Sequence, residues 1–371
     1  MVLQHAKSGV VIVRQHRADL DFMEADRVVP LSKLLPAFAR LDRQLQELTG
    51  HDMDLNQDLA FEQSASGYFL YGGPEPQPLP DFTSLHEAWI GLHQRWHSLI
   101  GWVGMIHIDW FNHMGDVHKA TNQFASPWDS NEALEKRQRE LSRDFELWTL
   151  GLQKLRERLG RLSAREEAIY ALLKCHTLLA ENVLATASLP REYLWDNYRD
   201  QFAGIVKLCR TVVEQETAEL KATRDSLPAL IVQHRYAPAQ FRPTPETTGN
   251  PLTFELGIIM ILLHVVTKCR HAQVRLDAIQ LLENYPRLEG LWDGALIAQT
   301  GRAIDGLERE GESLEAAAAK NAPASDIPLA RRVIDLRANM HLNSRSGDLI
   351  MYTHRRSWED GAVAHAVTLR W

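Results

Sequence analysis

The chain has 371 residues, 45% of them hydrophobic, enough to bury a large core in one big domain or two closely packed ones. Its 48 acidic residues outnumber 41 lysines and arginines for a net charge of −7, the wrong sign for a surface that neutralises a phosphate backbone. No apolar run of about 18 residues is available to span a bilayer. The opening segment 1–22 carries charges where a signal peptide needs an unbroken apolar core. Cys175, Cys209 and Cys269 are too far apart for a zinc cluster or a disulfide framework. The expectation is an intracellular protein with reduced core cysteines.

Apolar spacing at three and four residues predicts helices over 3–17, 31–49, 83–120, 131–160, 163–187, 191–227, 253–268, 271–284 and 290–319. Two of them have written starts, because Asp129 precedes Glu132 and Ser163 precedes Glu166 at the spacing of a capping box. In the helix after Asp129, Leu141, Phe145, Trp148, Leu152 and Leu155 share one face; in the next, Ile169, Leu172, His176, Leu179 and Val183 do. Both faces are expected to be buried. The segments 71–82, 235–252 and 321–328 are rich in Pro and Gly and read as long surface connections. After Pro328, three alternating stretches read as strands, with Asn343 to Asp348 turning between the first two. Paired antiparallel helices of similar length fit a helical-hairpin packing.

The region from His86 to His118 stands out. Trp89, Trp96, Val103 and Trp110 recur every seven residues, with Leu92, Leu99, Ile106 and His113 three residues after each, so one helix face presents an aromatic and aliphatic seam. Such a seam is ordinarily core packing. The sharper alternative is an apolar cavity, with Trp89, Trp96, Trp102, Trp110 and Phe111 as walls and His107, Asp109 and His113 as polar groups. His93 and His97, four apart, would still need further ligands to hold a metal, so no metal is expected. His264 and His176 lie among apolar residues, as hydrogen-bonded core histidines do. P-loop, dinucleotide-binding, serine-elbow and zinc-protease motifs are all missing, and no cofactor is expected.

Thr267 to Leu282, "TKCRHAQVRLDAIQLL", places Lys268, Arg270 and Arg275 opposite an apolar face of Val274, Ala278, Ile279 and Leu282. This fits a solvent-facing or acid-paired helix side as well as a nucleic-acid patch. Read with its flanks, Phe254, Gly257, Ile258, Ile259, Lys268, Cys269, Arg270, Arg275, Pro286, Arg287, Glu289, Gly290, Trp292 and Asp293 form an ordered series. In order and content that series resembles the C-terminal regulatory domain of fungal binuclear zinc-cluster transcription factors. Further matching stretches lie at 38–48, 82–88 and 166–184 and after Ile327.

The resemblance implies an all-α fold, here a multi-helix antiparallel helical-hairpin array with a small C-terminal β-sheet. Residues 1–328 would form the helical ligand-pocket domain and 329–371 a strand extension packed on it. Two departures matter. The chain opens at Met1 on the segment that normally follows the six-cysteine zinc cluster, so no direct DNA binding is expected. Met260 and Ile261 replace a usual pair of prolines, so the helix there is expected to start earlier.

Two functions follow as expectations. The first is a hydrophobic pocket put to use as a cofactor-independent cyclase, cycloaddition catalyst or isomerase of secondary metabolism, with His107, His113, His264 and Lys268 as donors and the tryptophans as shape-forming walls. The second is a transcriptional regulator or effector-sensing domain lacking its own DNA-binding module, which would be nuclear rather than cytoplasmic. Either would bind a hydrophobic small molecule. Apolar surface left by the missing early helices would favour a homodimer.

Overall fold

Four long helices come first: α1 (Leu85–Val117), α2 (Glu132–Leu159), α3 (Ala164–Thr186) and α4 (Arg199–Ser226), the last entered through a 3-10 turn at Glu192–Tyr198. The computed structural model describes residues 80–117, 132–186, 192–226, 252–253, 257–289, 292–341, 344–353 and 365–371. The helices expected at 3–17 and 31–49, the Asp129 cap and most of the two long connections at 71–82 and 235–252 lie outside those residues.

Local chemistry sets the helix starts. The Thr83 amide and hydroxyl both donate to Glu87 Oε2, at 2.7 and 2.8 Å, and anchor the first turn of α1. The expected box at α3 is present: the Ser163 amide and hydroxyl donate to Glu166 Oε2 at 2.8 and 2.7 Å, and the Glu166 amide returns a bond to Ser163 Oγ at 3.3 Å.

The long helices run antiparallel in sequence. Trp148 Nε1 donates to Ala88 O at 3.2 Å and Arg95 pairs with Asp144 at 2.9 Å, so α1 and α2 pass in opposite directions. Arg156 near the end of α2 meets Glu167 at the start of α3, while Gln138 near the start of α2 bonds to Leu184 O near the end of α3. Cys175 of α3 bonds to Ile205 O of α4, and its Sγ lies 3.8 Å from Cys209 Sγ. The α2 face predicted to be buried is buried at all five positions. On α3, His176, Leu179 and Val183 are buried, and Ile169 and Leu172 pack partly buried against the core. Each large apolar side chain so buried contributes about 1.5–3 kcal/mol.

Shorter helices follow: α5 (Ile259–Lys268), α6 (Ala272–Asn284), α7 (Gly294–Arg309) and α8 (Leu314–Ala319). The segment predicted as one helix over 290–319 is two, because Glu310 and Gly311 take φ values of 36° and 94° and break the ladder between α7 and α8. The helix expected from residue 253 begins only at Ile259, and Ile258 amide capping sets that start. Residues 321–328 are no loose connection: Ala322 is buried, and its carbonyl accepts the Ala272 amide at 3.1 Å.

Three strands, β4 (Val333–His341), β5 (Ser346–Thr353) and β6 (His365–Arg370), form the expected C-terminal antiparallel sheet, in that order. Alternation puts Leu349, Met351 and Leu369 on the buried side, and Gln299 of α7 ties the sheet down through the Arg370 backbone. A second sheet of two-residue strands, β1 (Leu252–Thr253), β2 (Leu288–Glu289) and β3 (Trp292–Asp293), was not legible in the sequence. Strands that short leave no alternation to read. No described helix is long and apolar enough to cross a membrane.

Candidate functional site

The cationic connector between α5 and α6 is the polar centre of the fold. Cys269 and His271 both take extended backbone conformations, which swings the chain from one helix into the next and turns its side chains inward. Arg270 and Arg275 are among the largest fully buried side chains of the protein. Lys268 Nζ pairs with Glu192 Oε1 at 2.7 Å, and Arg270 Nη2 with Glu192 Oε2 at 2.8 Å. Arg270 Nε pairs with Glu308 Oε1 at 3.0 Å, and Arg275 Nη2 with Glu308 Oε2 at 2.9 Å. Asp305 then joins Arg275 to Arg309, both at 2.9 Å. Backbone groups complete the shell: Arg270 donates to Val333 O, Arg275 to Cys269 O and Arg309 to Arg270 O.

The basic stretch is therefore acid-paired and buried, not a surface. Burial works against the charge of Arg270, yet Glu308 and Glu192 more than offset it and hold its pKa up. Burial likewise pushes Glu308 toward neutrality, and Arg275 and Arg270 overcome that and hold its carboxyl low. Cys269, packed beside them, is a buried thiol whose pKa burial pushes up to about 11, so it is not a poised nucleophile.

The remaining motif residues cap and clamp. Glu289 Oε1 and Oε2 accept the Ile258 and Ile259 amides at 3.0 and 2.8 Å, closing the N-terminus of α5, and Arg287 pairs with the same carboxylate at 2.8 Å. Asp293 Oδ1 accepts the Ala295 amide at 2.9 Å and caps α7. Sequence reasoning singled out the cations and missed their partners Glu192, Asp305 and Glu308. Only Asp305, four residues before Arg309 on one helix face, left a local signal.

Of the predicted donors, His264 and Lys268 share one face of α5. His264 is partly buried and its Nδ1 lies 3.0 Å from Met260 O of its own helix. Lys268 is held by Glu192 and sits 5.8 Å from the centroid of the Trp195 ring. Burial lowers the His264 pKa, the Met260 carbonyl counters it, and Lys268 one turn on adds to the lowering. A depressed folded-state pKa contributes stability that is present above the unfolded value and lost as pH falls through the folded one. Stability to urea is thus expected to drop as pH falls below about 6.5, and His264→Gln is expected to flatten that part of the profile; identical slopes for the two proteins would contradict it.

The predicted walls are core. Trp89, Trp96 and Trp102 are buried, and Trp89 and Trp96 pack edge-on against His176 of α3 at 6.0 and 5.2 Å. The side chains of His97, His107, Asp109, Trp110, Phe111 and His113 lie outside the described residues, which give only their helical backbone. Among the described residues no group of three or more His, Cys, Asp or Glu could hold a metal. Compared with family models, curated proteins and solved structures, the chain matches none. What it can do must be read from its own residues.

Proposed function

We propose that the chain is a regulatory, effector-sensing helical domain of the transcription-factor-like kind, which binds a hydrophobic small molecule without transforming it. The observation that carries this reading is the fate of the two candidate donors whose side chains are described: His264 is bonded to its own helix and Lys268 is spent on Glu192. General acid–base or oxyanion chemistry needs a donor aimed at the reacting atoms. The series Lys268 to Asp293 that resembles zinc-cluster regulators has a structural role for every charged member, which fits a scaffold kept for its shape.

Ligand binding has its own support. Among the described residues, the buried indole N–H groups of Trp89 and Trp102 have no acceptor, and the buried amide of Asn182 has no partner. A buried donor left unsatisfied costs about 1–3 kcal/mol, and a carbonyl-bearing apolar ligand entering the α1 seam would relieve it. The same indoles keep the enzymatic reading as the alternative, a cofactor-independent cyclase or isomerase, with His107 and His113 then as its donors.

Fusion of the chain to a heterologous DNA-reading module tests the regulatory reading. Reporter output is expected to change when a lipid-soluble extract of the source cells is added, and Trp102→Phe, which keeps a smaller aromatic ring and removes the N–H, is expected to blunt the response. Output indifferent to extract at equal protein level would count against it.

A further inference from the structure

All three cysteines are free thiols, and two of them meet. Cys175 lies midway along α3 and Cys209 on α4, and the Cys175 Sγ is 3.7 Å from Ile205 O and 3.8 Å from Cys209 Sγ. Both side chains are fully buried in the apolar core. Cys269, the third, is buried in the connector between α5 and α6 with no second thiol beside it. Neither member of the pair takes part in the ion network or in the ligand-sensing reading.

A disulfide bond is about 2.05 Å long, so closing the 3.8 Å gap asks each sulfur to move about 0.9 Å, on the scale of a small rotation about χ1. The two positions are 34 residues apart in sequence, so the bond would close a long loop and restrict the unfolded chain accordingly. His176, the next residue after Cys175, packs edge-on against Trp89 and Trp96 of α1, which puts the pair one residue from the aromatic seam.

We infer that Cys175 and Cys209 form a redox-modification site, a thiol pair that a peroxide-class oxidant converts to a disulfide pinning α3 to α4. Whichever sulfur ionises first attacks a peroxide oxygen; the O–O bond breaks, leaving a sulfenic acid on the protein and a hydroxide that takes up a proton. The second sulfur then attacks the sulfenic sulfur, the S–S bond forms, the S–O bond breaks, and the oxygen leaves as water. Two thiols and one peroxide thus become one disulfide and two waters. Burial first, then the Cys175 thiol, push the Cys209 pKa up, so oxidation is slow and follows local opening of the α3–α4 hairpin. The same burial shields the bond from reductants once it has formed. The site stands apart from the ligand-sensing reading: cross-linking without an effector response, or a response without cross-linking, would each leave the other proposal standing.

Treatment of the full chain with hydrogen peroxide, followed by alkylation in denaturant and peptide mapping without reductant, tests it. Two of the three thiols are expected to disappear into one linked peptide pair carrying Cys175 and Cys209, with Cys269 still alkylated. The cross-linked chain is expected to melt about 5 °C higher than the reduced one. Cys209→Ala is expected to abolish both the link and the shift; should that variant not fold, the map and the melting of the parent chain decide alone. The inference is overturned if all three thiols remain alkylatable, if the link joins Cys269 or two chains, or if the Cys175 to Cys209 link lowers the melting midpoint.

Discussion

Glu308→Gln is expected to destabilise the protein by about 3–5 kcal/mol, because it leaves two buried guanidiniums facing one neutral amide. Glu308 is fully buried, pairs with Arg270 and Arg275, and accepts the Val333 amide at 2.9 Å. It thus ties α6 and α7 to the first residue of β4. The penalty comes from stranding the arginines, not from any large net gain in the intact pair, since ion pairs that are buried together roughly break even against apolar packing. The carboxyl is held below its ordinary value of 4.5, so its contribution is present above that value and lost as pH falls through the lower folded one. Urea denaturation should show the lowered midpoint and a flatter acid limb for the variant. The same midpoint as the parent would mean that the network is not the polar keystone described. Glu312→Gln, on the exposed surface, is the control and should change little.

The second large effect is expected at the N-terminus of α5. Glu289→Ala removes the acceptor of two buried amides and one partner of Arg287, for a cost of about 3 kcal/mol. A methyl group on Gly257 would stand 2.1–2.4 Å from the Glu289 carboxyl atoms, so Gly257→Ala must push that carboxylate off the amides it caps. The two substitutions attack one contact from opposite sides. Their double variant is therefore expected to cost about as much as Glu289→Ala alone, a non-additivity that a double-mutant cycle reads directly. Strict additivity would show that Gly257 matters for a reason unrelated to the cap.

Much of the helical scaffold was legible because its signals are local. The Ser163–Glu166 box and the Leu141 to Leu155 face lie within one or a few turns, and both are where the spacing puts them. The C-terminal strands announced themselves by alternation. The break at Glu310–Gly311 was passed over, since a single glycine inside an apolar rhythm is a weak signal until its positive φ is seen. Long-range pairing was the larger loss. Arg270 meets Glu192 across 78 residues and Arg332 meets Asp196 across 136, and no spacing rule links such positions. Without their acids the cations of Thr267 to Leu282 could be read as surface or as core; with them the stretch is the buried centre of the fold.

The candidate site was legible only in kind. Trp89 and Trp96 fall on the core seam that heptad spacing allows, Trp102 is buried beside it, one residue before the seam position Val103, and sequence could not tell a filled seam from a lined cavity. Lys268 looked like a free donor because Glu192, its partner, lies on a separate 3-10 turn.

The central claim, that the domain senses a ligand and does not transform it, is tested most directly by incubating purified protein with a lipid-soluble extract of its source cells and following both phases by mass spectrometry and chiral chromatography. The account predicts a metabolite that is retained by the native protein, released on heat denaturation and chemically unchanged. A new isomer of unchanged mass, accumulating over many turnovers and absent with heat-denatured protein, would contradict it and make the chain a cyclase or isomerase.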